Sequence, residues 1–140
     1  MKKKKLTITA DTAELHSVRK AVAGFIGSSV ESSETAKIVL AVDEAVANII
    51  IHGYRRDSKG EICIEMESDS SGLRFIISDM APHFNPLELE PQDIDVYLDS
   101  GKTGGLGVDI TRRMMDVQYE KIKNGGNRLI LSHKFNKEDI

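Results

Sequence analysis

A chain of 140 residues, 40% apolar and 29% charged, has the size and composition of one globular domain, since a chain of this length buries roughly two-thirds of its unfolded surface. Its formal charge of -3 and isoelectric point near 5.8 argue against a broadly basic nucleic-acid surface, which needs clustered Lys and Arg. Without a signal-peptide pattern or a run of about 18 apolar residues, a cytoplasmic protein with no membrane association is expected. Cys63 is the single cysteine, so an internal disulfide and a multi-cysteine metal site are excluded, and it is read as a packing residue. His16, His52, His83 and His133 show no metal-ligand spacing, which disfavours structural zinc.

Lys2 to Lys5 form the one dense basic run and are expected to be a solvated tail. Residues 5 to 9 alternate polar and apolar as a half-buried strand does, and Asp11 with Glu14 resembles a helix start. Leu15, Val18, Val22, Phe25 and Ile26 then recur at helical spacing up to Gly27, a natural left-handed terminus. Ser32 or Ser33 is expected to cap a second, mostly buried helix carrying Ile38, Val39, Val42, Val46, Ile49 and Ile50 as far as His52 and Gly53.

After the polar turn 55 to 60, residues 61 to 67 and 73 to 79 alternate around Ser-Asp-Ser-Ser-Gly, the pattern of a hairpin. Pro82, Pro86 and Pro91 disfavour regular structure between Asp79 and Ser100, which makes this stretch the candidate functional loop. Leu106, Ile110, Met114 and Val117 predict a third helix. Residues 118 to 122, the turn Asn124-Gly125-Gly126-Asn127 and a strand near 128 to 135 then close the chain as a hairpin. The expected class is α+β, a sheet covered by helices on one face with an open face or edge for partners.

The chemistry concentrates in three places. Glu44 and Asn48 lie one helical turn apart and His52 continues the stripe, so a carboxylate and a carboxamide project from an otherwise apolar helix. Left unpaired in a core, each costs about 1 to 3 kcal/mol, so they need neighbouring backbone, solvent, a ligand or a metal as partner. Asp79 ends an apolar strand, where its carboxylate is able to accept from an exocyclic amine or to serve as a plain turn residue. Residues 101 to 107, Gly-Lys-Thr-Gly-Gly-Leu-Gly, lead into the third helix as a glycine-rich loop whose amides can approach phosphate closely, with Lys102 as a mobile cation. Neither nucleotide fingerprint is complete. A P-loop requires glycine at position 96, which is Val96, and a dinucleotide loop requires glycine at position 110, which is Ile110.

These residues in this order resemble the histidine-kinase-like ATPase superfamily of gyrase, heat-shock chaperones and histidine kinases, and specifically its small anti-sigma factor serine/threonine kinases. The first motif is matched by Asp43-Glu44-Ala45-Val46-Ala47-Asn48-Ile49-Ile50-Ile51-His52-Gly53-Tyr54. The resemblance implies Glu44 as the general base and Asn48 as the magnesium ligand. The second motif is similar to Asp79-Met80-Ala81-Pro82-His83-Phe84-Asn85-Pro86, with Asp79 implied as acceptor of the adenine amino group. Here the family pattern usually has glycine where this chain has Ala81, and the added methyl either crowds the adenine or is accommodated. The third motif is similar to Gly104-Gly105-Leu106-Gly107-Val108, at the end of an implied lid over about residues 82 to 107.

The resemblance therefore implies one ATPase domain over residues 1 to 140, a two-layer α/β sandwich with a mixed sheet, and Mg2+ and ATP as cofactors. The implied nucleotide-binding set is Asn48, His52, Asp79, Ala81, Phe84, Lys102, Thr103, Gly104, Gly105, Leu106, Gly107 and Val108. The implied partners are a sigma factor and an anti-sigma factor antagonist, and the implied assembly is a homodimer. Three functions are compatible with these residues: a protein serine/threonine kinase acting as an anti-sigma factor, a nucleotide-gated binding regulator without kinase activity, and an ATP-independent interaction protein on the same fold.

Overall fold

The computed structural model describes residues 1–83, 85, 115–123 and 125–135. Strand β1 spans Lys2–Thr9, so the lysines expected to form a solvated tail are strand residues. Pairing with strand β2, Glu61–Ser68, explains the difference: Lys3 stands opposite Glu67 and Lys5 opposite Glu65, and opposite charges across a ladder favour the pairing. Lys2 adds an anchor, its Nζ donating to the Phe25 carbonyl at 2.7 Å and lying 4.6 Å from the centre of the Phe25 ring.

Asp11 caps a 3-10 turn, Thr12–Glu14, by accepting from the Ala13 amide at 2.9 Å, and helix α1 follows over Leu15–Ile26. The helix stops at Gly27, whose φ of 54° is open to glycine at low cost. Helix α2 spans Ser32–Asn48, and its start differs from expectation. Glu31 holds the cap position with extended backbone and no side-chain cap bond, while its carbonyl accepts from both the amide and the hydroxyl of Thr35. The end differs too: the α-helix gives way at Ile49–Gly53 to a π-helical turn.

Strands β2 and β3, Gly72–Asp79, make the predicted hairpin, with Asp69 accepting from the amides of Ser71 and Gly72 inside its turn. Val117, expected on the third helix, lies instead in strand β4, Asp116–Lys121, opposite Leu131 of strand β5, Asn127–Lys134. Alternate side chains of that segment face the core, a period of two that a single apolar residue does not distinguish from a helical stripe. The rest of that helix lies outside the described residues.

The sheet order is β1-β2-β3-β5-β4. Every pairing among the described strands is antiparallel, where a mixed sheet was expected. The two-layer α+β arrangement itself is as anticipated. Ile62, Ile64, Met66, Leu73, Phe75, Ile77 and Leu131 meet Val18, Val22, Phe25, Ile38, Val42 and Val46 of the helices in one core, with Phe25 edge-on to Phe75 at 6.5 Å. The opposite sheet face carries exposed Glu65 and Arg74 and the half-buried Cys63. Among the described residues no helix is long and apolar enough to cross a membrane.

Candidate functional site

The end of α2 brings polar groups into an apolar layer. Asn48 is 2% exposed, and neither its amide nitrogen nor its amide oxygen has a hydrogen-bond partner among the described residues. One helical turn earlier Glu44 is half-buried, and burial, aided by the neighbouring Asp43 charge, raises its carboxyl above the usual glutamate range. Asp43 itself is paired with Arg19 at 2.9 Å. His52 follows in the π-helical turn and is exposed, whereas Asn48 is buried.

From the sheet side, Asp79 closes β3 at 4% exposure, opposite Asn127 in the register of β5. The Asp79 Oδ1 accepts from the Ala81 amide and from the Asn127 Nδ2, each at 2.9 Å. Burial raises this carboxyl above the usual aspartate range, and the two hydrogen bonds oppose that rise. Asn127 also donates to the carbonyls of Ala81 and Pro82, and the Tyr119 hydroxyl donates to its Oδ1. Tyr54 ties the same corner together: its hydroxyl receives the Met80 amide and donates to the Glu61 carbonyl, both at 2.7 Å.

Between these two sides lies a small cavity. Ala45, Asn48, Ile49 and Gly53 line it from the helix, and Asp79, Tyr119, Asn127 and Leu129 from the sheet. Asn48 and Asp79, thirty-one positions apart in the chain, thus face one space. The cavity has room for about one water molecule, and what marks it is the convergence of buried polar groups from helix and sheet in an otherwise apolar layer.

Residues 8–133 match the histidine kinase-like ATPase domain. The chain belongs to that family. Curated relatives include the anti-sigma F factor of Clostridium kluyveri, 31% identical over 120 residues that cover 84% of each chain. The anti-sigma F factor of Clostridium beijerinckii is 28% identical over 120 residues, again 84% of each chain. The serine-protein kinase RsbW of Staphylococcus aureus is 28% identical over 128 residues, covering 76% of this chain and 79% of that one.

In this histidine kinase-like ATPase the helix and strand motifs converge, while Phe84, Lys102, Thr103, Gly104, Gly105, Leu106, Gly107 and Val108 lie outside the described residues. Ala81 is 2% exposed, and its methyl packs over Gly53, where a Cβ would stand only 3.3 Å away. The extra carbon relative to the family glycine is therefore accommodated against the turn that follows α2. Asn48 fits a magnesium ion or the water around it, since an unsatisfied buried carboxamide supplies one hard oxygen. Among the described residues no cluster of three His, Cys, Asp or Glu offers an alternative all-protein site.

Tyr119 and Asn127 were not singled out from the sequence. Asn127 reads there as the last residue of an Asn-Gly-Gly-Asn turn, and only the strand register places it against Asp79. The usable signal is Gly126, whose φ of 96° and close approach to Asp79 mark the spot where two backbones touch.

Proposed function

We infer that the protein is an ATP-dependent serine/threonine protein kinase that also acts as an anti-sigma factor, holding a sigma factor and phosphorylating a small antagonist protein in a partner-switching cycle. The observation that carries this reading is Asn48: a buried carboxamide with both polar atoms unpartnered among the described residues, in the cavity that Asp79 lines, one helical turn from a half-buried carboxylate. The printed names of the relatives, anti-sigma F factor and serine-protein kinase, support the target class. A cytoplasmic homodimer is part of the same proposal.

Magnesium, when bound, would neutralise charge on the phosphates. The remaining work falls to the chain's own groups, because phosphoryl transfer depends mainly on positioning and electrostatics. Asp79, whose Oδ1 is held by the Ala81 amide and Asn127, accepts from the adenine amino group. Asn48 orients the metal side of the site. Glu44 receives the proton of the attacking hydroxyl on its carboxylate, and burial, by raising its affinity for protons above that of an ordinary glutamate, makes it a stronger base. By family likeness, Lys102, Thr103 and the Gly104 to Val108 segment would contribute to binding the nucleotide.

Phosphoryl transfer from ATP to small antagonist proteins of the same genome tests the reading. Wild-type protein should label an antagonist, and Glu44→Ala should lose about 100- to 10,000-fold in rate while keeping ATP affinity. Unaltered transfer in Glu44→Ala would contradict the base assignment, and ATP binding with no transfer would leave a nucleotide-gated sigma-factor binder.

A further inference from the structure

Asp79 is not held by its own strand alone. Both hydrogen bonds to its carboxylate among the described residues, from the Ala81 amide and from Asn127, end on Oδ1, which leaves Oδ2 as the other oxygen. The orientation of Asn127 is fixed by chemistry. Three acceptors, Asp79 Oδ1 and the carbonyls of Ala81 and Pro82, surround one end of its amide, so that end must be the NH2 group. The amide oxygen then points at the Tyr119 hydroxyl, which has to donate to it. Each member of this chain sets the next: Tyr119 orients Asn127, and Asn127 orients Asp79. The backbone of the segment after β3 is gathered by the same amide, through Ala81 and Pro82.

We propose that Tyr119 and Asn127 form a positioning pair that makes the site selective for a purine carrying an exocyclic amine. Asn127 turns the Asp79 carboxylate so that its other oxygen is the one presented to the cavity, and Tyr119 prevents Asn127 from flipping its NH2 group away. A flipped Asn127 would set carbonyl oxygen against carboxylate oxygen, and Asp79 would turn or take up a proton, ending its role as acceptor. All three side chains line the cavity, and Tyr119 and Asn127 come from β4 and β5, outside the helix and strand motifs that first point to the nucleotide. The pair deepens the nucleotide-binding reading of the cavity and rests on it.

The test is titration of the full chain, with magnesium present, by ATP and by purine riboside triphosphate, which lacks the exocyclic amine. Tyr119→Phe removes one oxygen and keeps the ring; Asn127→Ala is the stronger change, and Tyr119→Phe keeps the test open should Asn127→Ala fold poorly. Wild type should prefer ATP. Tyr119→Phe should weaken ATP binding about 3- to 10-fold and leave purine riboside triphosphate within about twofold, so that the preference collapses. Equal loss for both nucleotides, or no change for either, overturns the proposal while leaving the nucleotide site standing. Failure of wild type to bind either nucleotide removes the site itself, and the proposal with it.

Discussion

A Cβ built on Gly126 would lie 2.1 Å from the carbonyl oxygen of Asp79, so the turn before β5 touches the backbone of the candidate ligand-binding carboxylate with no room for a side chain. Gly126 also has a φ of 96°. Gly126→Ala should therefore cost about 3 kcal/mol or more in urea unfolding, through backbone strain added to a collision that has no flexible partner. Gly125 is the control. Its φ of 108° is equally unusual, but nothing lies within 4 Å of its Cβ position, and Gly125→Ala should cost only about 1 kcal/mol. Equal costs for the two would show that the contact with Asp79 is unimportant.

Asn48 sets stability against function. Its buried amide has no partner among the described residues, so Asn48→Leu, of similar volume, should raise the stability of the ligand-free protein by about 1 to 2 kcal/mol. The same variant should lose magnesium-dependent nucleotide binding. A destabilised Asn48→Leu would mean that the carboxamide is satisfied in the folded protein and is not held ready for a ligand.

Glu44 gives a pH signature of definite sign. Burial raises its folded-state pKa above the ordinary 4.5, so its contribution to stability is intact below that value and is lost as pH rises through the folded value. Glu44→Gln, which stays neutral, should be more stable than wild type at neutral pH, with the gap closing as pH falls toward 4.5. Phosphoryl transfer by wild type should rise over the interval in which Glu44 ionises. A stability gap that is independent of pH would contradict the burial of a charged carboxylate.

Much of the fold is legible in the sequence where local signals agree. Asp11, Gly27 and the alternation of β2 and β3 each specify a cap, a stop or a hairpin through neighbours close in the chain. Four consecutive lysines carry no such signal, and their strand depends on Glu65 and Glu67 some sixty positions away. Ser32 looks like a cap by residue type, yet the Glu31 carbonyl and Thr35 settle the helix start through backbone geometry. The site divides in the same way. Glu44, Asn48 and Asp79 are visible because each is a polar group at the wrong place in an apolar pattern. Asn127 and Tyr119 are not, because nothing short of the β3–β5 and β4–β5 registers brings them to Asp79.

The most direct test of the nucleotide site is calorimetric titration with ATP, with and without magnesium, of wild type and Asp79→Asn. Wild type should bind ATP in a magnesium-dependent way, and the variant, whose amide can turn a donor toward the adenine amine, should lose about tenfold or more. ATP binding that ignores the Asp79→Asn change, or no binding by wild type at all, would contradict the assignment of the site.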